Sequence, residues 1–304
     1  MTLTILRGLP ASGKSTKAQE LLRASGNGVR LNKDLLRTML HCDRWSGPNE
    51  KATREASLVL ARHFLANKRH VLIDDTNLNE GTLQGWKDLG KECGAKVEVI
   101  DVDTPLEECL LRDRIREKRV GDHVIVGMAM QYGLYPTPEN GMVICDLDGT
   151  LCDITHRRHF VDGTDGEKKN WKAFFEELPM DGVRLEVLDM LFAHEKAGRE
   201  IFFVSGRPDT YRKQTEEWLK MGAYGVPYRA LFMRPGHDSR EDSIIKREIY
   251  ERYFKGFDVV EVIDDRPQVI AKTWLPLLGK GRVKDVGTNT EFMEEREELN
   301  YWTT

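Results

Sequence analysis

Leu3-Thr4-Ile5-Leu6 is a short apolar run that leads into Gly8-Leu9-Pro10-Ala11-Ser12-Gly13-Lys14-Ser15, and a helical pattern over 14–24 follows at once. A strand, a G-x-x-x-x-G-K-S loop and a helix in that order leave few folds open, because the turn works only where a buried strand feeds a covering helix. Consecutive backbone N–H groups of such a loop curl around phosphates, and the helix points its positive end at them. Gly8 and Gly13 allow the close backbone approach. Ser12 and Thr16 belong to the same nucleotide-binding set, Lys14 is placed to neutralise β- and γ-phosphates, and Ser15 to ligate Mg²⁺.

The alternation continues. Helical patterns over 50–67 and 83–93 are interleaved with strand-like runs over 70–73 and 96–102, which predicts a parallel sheet covered on both faces. Tyr135-Pro136-Thr137-Pro138-Glu139-Asn140-Gly141 interrupts it as a stiff, non-helical connector. A new apolar run, Met142-Val143-Ile144-Cys145, then restarts the pattern, with further strands expected over 200–205 and 259–264. The prediction is an α/β protein of two domains, 1–136 and 141–304, each a mostly parallel sheet flanked by helices. The segment between Thr150 and Ile201 leaves room for a small cap on the second. A length of 304 residues suits two cores of roughly 150.

No apolar stretch approaches the ~20 residues needed to cross a bilayer, and the first strand starts too early to leave room for a signal peptide. Five cysteines without framework spacing point to reduced thiols and a cytoplasmic setting; Cys42 and Cys93 lack partners at metal-site spacing. With 46 Lys+Arg against 50 Asp+Glu the net charge is −4. A nucleic-acid substrate would therefore be gripped by local arginines rather than by a basic coat.

Asp34 falls in the loop after the second expected strand. It can be a general base beside a γ-phosphate, with Arg37 holding an acceptor phosphate, or it can cap a helix starting at Leu35. Asp75 and Thr76 follow another strand, as an acceptor- or metal-positioning pair or as an Asx turn. Arg112, Arg116 and Arg119 share one face at helical spacing. That face is either merely solvated or closes over phosphates.

The second half carries an ordered set. Asp146 and Asp148, two apart on an extended stretch, can serve as nucleophile and as acid then base for phosphoryl transfer. Ser205 would hold the phosphoryl group, Lys246 would neutralise it, and Asp264 with Asp265 would bind Mg²⁺, joined by the carboxylates of Asp146 and Asp148.

This half resembles the haloacid dehalogenase-superfamily phosphatases. The whole chain, kinase first and phosphatase second, is similar to the polynucleotide 5′-kinase/3′-phosphatases of T-even bacteriophages. On that resemblance Lys14 and Ser15 match the phosphate-loop pair, Asp34 the general base, Arg37 the acceptor-phosphate arginine, and Asp75-Thr76-Asn77 a D-T-N segment. Arg119 matches a lid arginine contacting nucleotide phosphates, with Arg116 a neighbouring match. Arg157 matches an arginine of the phosphatase entrance, while Arg207, Arg234, Asp242 and Arg266 match substrate-binding positions near the later motifs. After Arg207 the loop is shorter than in the type enzyme, and an acidic stretch covers 291–298. The resemblance implies an end-healing enzyme that uses ATP or another NTP and Mg²⁺. It would phosphorylate 5′-hydroxyl ends of RNA or DNA and remove 3′-phosphates, and 2′,3′-cyclic phosphates as well. It also implies a ligase as functional partner and a homotetramer, and host cytoplasm if the chain is phage-encoded. Two alternatives stay open at the level of the residues: a bifunctional kinase/phosphatase of sugars or nucleosides, and a non-catalytic nucleotide-gated switch, against which Asp34 and the phosphatase motifs argue.

Overall fold

The computed structural model describes residues 1–162, 169–221 and 225–287, so the acidic stretch 291–298 lies outside the described residues. The chain divides into two units, Met1–Tyr135 and Pro136–Thr304.

In the first unit, β1 (Thr2–Arg7), α1 (Lys14–Ser25), β2 (Gly28–Leu31), α2 (Lys33–His41), α3 (Gly47–Ala66), β3 (His70–Asp74), α4 (Glu80–Glu92), β4 (Lys96–Asp101), α5 (Leu106–Ile115) and α6 (Asp122–Gln131) follow in order. The strands form one parallel sheet in the order β2-β3-β1-β4. Leu3 and Ile5 of β1 and Val71 and Ile73 of β3 pack against Ala61 and Leu65 of α3 and Leu83, Trp86 and Leu89 of α4. Burying each large apolar side chain of this kind is worth about 1.5–3 kcal/mol. Charged Lys96, Glu98 and Asp101 along β4 keep that edge from recruiting another strand. The expected strands and the expected helices over 14–24, 50–67 and 83–93 are present. The basic helix is not as expected. It stops at Ile115, and Arg116 turns extended at its end, so Arg112, Arg116 and Arg119 do not share a helix face.

In the second unit, β5 (Met142–Cys145) leads to a short β6 (Cys152–Asp153) and a 3-10 turn over Thr155–Phe160. Then come α7 (Trp171–Glu176), β7 (Gly182–Val183), α8 (Leu185–Lys196), β8 (Glu200–Pro208), α9 (Arg212–Met221), β9 (Ala230–Arg234), α10 (Asp242–Ile249), β10 (Val259–Asp264) and β11 (Val283–Asp285). The main sheet is parallel, in the order β11-β10-β5-β8-β9. β6 and β7 pair antiparallel on their own and close the base of the segment between them. β5 is buried throughout, which is why Met142–Cys145 reads as an unbroken apolar run.

Candidate active sites

Parallel strands deliver their carboxyl ends to one edge of the sheet, and ligands bind there. In the first unit Leu6 is level with Asp74 and Leu31 with Ile73, so the phosphate loop, residues 32–34 and residues 75–77 converge. The Gly8 N–H donates to Thr76 O at 3.0 Å, and Asn77 Nδ2 donates to Leu6 O at 2.7 Å. The D-T-N segment thus buttresses the loop. Gly8 has φ +156, and a Cβ there would lie 2.8 Å from Val102 O. Lys14 is buried, and its Nζ donates to Gly8 O at 3.0 Å, to Leu9 O and to Ser12 Oγ at 3.3 Å. Burial lowers its pKa from 10.5 to about 8, against the attraction of Asp74. Ser15 and Thr16 are exposed at the start of α1. Arg112 Nη1 and Thr104 Oγ1 donate to Ser12 O at 3.2 and 2.7 Å and brace the loop from outside.

Asn32, and not Asp34, caps α2: its side chain accepts from Leu35 N at 3.0 Å. Asp34 is released from capping and remains exposed, paired with Arg37 at 2.7 Å. Arg37 differs from the expected open anion grip, because Glu50 takes its guanidinium in two hydrogen bonds. An acceptor phosphate must therefore compete with two carboxylates. Asp75 is nearly buried, and burial raises its pKa although Lys33 N–H donates to Oδ1 at 2.9 Å. Arg116 lines the space beside Lys14 and Ser15 and pairs with Asp113 at 2.6 Å. Arg119 is exposed in the loop beyond α5 and is not among the residues lining that space. Asp113 escaped the sequence reading. Fully buried, it accepts from Val120 N and Gly121 N at 3.2 and 2.9 Å and so shapes the loop that carries Arg119.

In the second unit Cys145 is level with Ile263 on one side and Phe203 on the other. Asp146, Asp264 and Ser205 therefore emerge side by side. Lys246, fully buried, reaches Asp146 at 3.0 Å, Asp264 at 2.8 Å and Asp242 at 3.5 Å. Burial would lower its pKa, but Asp146, Asp264 and Asp242 raise it well above the ordinary value. Burial likewise pushes Asp146 up, with Lys246 opposing and Asp264, Asp242 and Asp265 adding to the rise.

Carboxylate oxygens of Asp146, Asp264 and Asp265 lie within 4.8 Å of one another. More buried negative charge gathers here than Lys246 balances, and an all-oxygen set suits a hard cation such as Mg²⁺. The two members of the Asp264/Asp265 pair are not equivalent. Asp264 accepts from Lys246 and from Trp274 Nε1 at 2.8 Å on Oδ2, and from Arg266 N at 3.1 Å on Oδ1. Asp265 lines the same cavity as Asp146, whereas Asp264 does not. It is seated on Gly149, where a Cβ would fall 2.3 Å from its Oδ2. Asp146 and Asp265 are therefore the residues best placed to hold the ion.

Asp148 stands apart from this cluster. Its carboxylate accepts from Arg207 at 2.6, 2.9 and 3.0 Å and from Arg157. Asp181 closes the group, 2.5 Å from Arg157 and 3.0 Å from Arg207. Burial would raise the Asp148 pKa, but the charges of Arg207 and Arg157 pull it down to about 2. Its side chain thus faces two arginines and not the metal set assigned to it from the sequence. Arg157 is wholly buried rather than at the entrance, because the 3-10 turn directs it inward to Asp148 and Asp181. Arg158, half-buried, lines the cavity instead. Asp181 has no motif around it and was invisible in the sequence. Ser205 is buried beneath the cavity, accepting from Arg207 N at 3.2 Å. Arg234 lines the cavity but is tied to Gly206 O at 2.7 Å and Asp242 at 3.4 Å. Arg266 also lines it, with Nε buried and unpartnered among the described residues.

Fold and site together define two α/β domains, one of the P-loop kinase fold built round a phosphate loop and one of the haloacid dehalogenase-type phosphatase fold built round a carboxylate-lined cavity. Residues 140–277 match the polynucleotide kinase PNKP phosphatase domain and residues 3–134 match the AAA domain. A protein of Autographa californica nuclear polyhedrosis virus described as a bifunctional polynucleotide kinase/RNA ligase is 25% identical over 298 residues, 90% of this chain and 41% of the relative. The L-seryl-tRNA(Sec) kinase of Methanococcus maripaludis is 32% identical over 186 residues, 58% of this chain and 71% of the relative. A solved structure titled Pnkp1/Rnl/Hen1 RNA repair complex is 28% identical, covering 94% of this chain and 96% of that one, with a TM-score of 0.40. The chain spans less than half the length of its viral relative.

Proposed function

We propose that this chain heals the ends of broken RNA or DNA, adding phosphate at 5′-hydroxyls and removing it from 3′ ends. The observation that carries this reading is the pairing, in one chain, of a buttressed phosphate loop with a PNKP-type phosphatase cavity. In the kinase half, Lys14 and the loop N–H groups hold the β- and γ-phosphates of ATP or another NTP. Asp34 takes the proton of the acceptor hydroxyl, and Arg119 stabilises the transferring phosphoryl group from its loop.

In the phosphatase half, the Asp146 carboxylate attacks phosphorus, and the bond from phosphorus to the 3′-oxygen breaks. The leaving oxygen takes a proton from Asp148. Asp148 then removes a proton from water, which attacks the aspartyl-phosphate and frees inorganic phosphate and Asp146. Asp148 must first gain a proton, which the two arginines oppose; a substrate phosphate that draws on their charge would loosen that hold. Asp146 and Asp265, and Ser15 in the kinase, would hold Mg²⁺, which would supply positive charge for the phosphoryl oxygens. We extend the reading to 2′,3′-cyclic phosphate, to a ligase that seals the healed ends, to a homotetramer and to the T-even phage type working in the host cytoplasm.

The test is incubation with γ-labelled ATP, Mg²⁺ and a 5′-hydroxyl oligonucleotide, beside a panel of sugars and nucleosides, with phosphate release from a 3′-phosphorylated oligonucleotide followed in parallel. Label on the oligonucleotide and release from its 3′ end are expected. Label on a sugar or free nucleoside instead would replace this reading with small-molecule metabolism.

A further inference from the structure

We propose that Trp171 and Phe175 form the subsite for the nucleobase adjoining the scissile 3′-phosphate, so that the phosphatase half recognises a terminal nucleoside and not phosphate alone. This rests on the 3′-phosphatase reading above. The observation is that one cavity is lined both by Asp146 and Asp265 and by an aromatic wall from the cap. At one end stand the groups that handle phosphorus. Facing them are rings with no polar duty to that chemistry.

Trp171 is 47% exposed, on the first residue of a helix only six residues long. An exposed indole is informative only as part of a contiguous apolar patch, and Trp171 is part of one. Its orientation is nevertheless fixed. The ring meets Phe174 edge-on at 5.8 Å and lies nearly parallel to Phe175 at 6.0 Å, and Phe175 in turn rests on Tyr211 at 5.1 Å. Phe174 is itself pinned, buried with the Arg157 guanidinium 4.1 Å above its ring. The wall is thus rigid where it meets the Asp148 cluster and open where Trp171 reaches solvent.

The chemistry selects the ligand. Arg158 and Asp162 also line the cavity on this side, but they are paired with each other at 2.7 Å, so what the wall mainly offers a ligand is aromatic faces. Such faces accept any base, because every base presents a π-surface, and this suits an enzyme meeting ends of arbitrary sequence. Lys169 Nζ sits over the Trp171 ring, 5.8 Å from its centroid; a base stacking there takes its place, and the displaced cation can swing to the next phosphodiester of a strand.

The test compares two oligonucleotides that end in 3′-phosphate and differ only in the last residue, one carrying its base and one abasic. The wild type is expected to favour the base-bearing end by about ten-fold or more in kcat/KM, chiefly through KM, as loss of a stacked base predicts. In the Trp171→Ala/Phe175→Ala double variant that ratio falls towards one, and Trp171→Phe restores most of it. A double variant that slows both substrates in equal proportion would reduce the wall to a structural role and overturn the proposal. Equal use of the two ends by the wild type would overturn the subsite alone. A wild type acting on neither end would overturn the 3′-phosphatase reading with it.

Discussion

Individual side chains in both sites carry charge that folding opposes. Lys14 is the clearest case. Its pKa falls from 10.5 to about 8 on burial, so between those values the unfolded chain binds more protons and stability rises with pH. A depression of this size corresponds to about 3 kcal/mol borne by the native state below pH 8. Lys14→Met should therefore abolish 5′-phosphorylation while leaving the first domain at least as stable at pH 7. Its unfolding free energy should also lack the upward slope expected of the wild type between pH 8 and 10, which chemical denaturation of both across that range would reveal. Asp148 has the opposite sign. Its pKa, held near 2, stabilises the second domain above the ordinary carboxylate value, and this is lost as pH falls through about 2. Asp148→Asn should cost about 3–5 kcal/mol, because Arg157 and Arg207 would then share only Asp181. Asp265→Asn should silence the phosphatase and weaken Mg²⁺ binding, read by calorimetry, with far less loss of stability. Equal destabilisation by the two changes would contradict this division of labour.

At the scale of elements, the loop after α5 is where sequence and structure part. The spacing of Arg112, Arg116 and Arg119 fits a helix, yet buried Asp113 draws in the N–H groups of Val120 and Gly121 and folds the chain back. If Arg119 stabilises the transferring phosphoryl group from that loop, Arg119→Ala should slow the kinase by ~10²-fold or more. Asp113→Ala should impair it too, by releasing the loop. A wild-type rate for Arg119→Ala at saturating ATP would assign the arginine to solvent. By contrast, β1, β3, β4, β5 and β10 were readable to within a residue at each end, as largely apolar runs, whereas β8 runs on to Pro208 and β6, β7, β9 and β11 were not anticipated. The phosphatase motifs at Asp146 and Asp264 were readable for the same reason, since each stands at a strand end, where local sequence decides geometry; Lys246, within α10, was legible only from its order among the motifs. Asp181, Asp113 and Trp274 were not. Each acts through partners brought near only by tertiary packing, and none has a neighbouring residue that marks it. Arg37 and Arg157 misled for a related reason, because the sequence shows an arginine but not the carboxylates that claim it.

For the molecule as a whole, the two units have separate sheets, cores and sites. Lys14→Ala or Asp34→Ala should therefore remove 5′-kinase activity and spare 3′-phosphatase activity, and Asp146→Asn should do the reverse in the full chain. Loss of both activities in a single well-folded variant would show coupling between the halves. The pairing of β6 with β7 has a consequence of another kind. By joining Cys152-Asp153 to Gly182-Val183 it returns the chain to where it left, so the insert between them looks like a cassette that divergence could trade without disturbing the sheet. Yet that insert carries Arg157, which together with Arg207 lowers the pKa of Asp148, and Asp181, which holds both arginines. A lineage that exchanged the cassette for new substrate preference would have to reset Asp148, the proton donor of the proposed mechanism, at the same time, and on that mechanism the evolution of selectivity is tied to the evolution of rate.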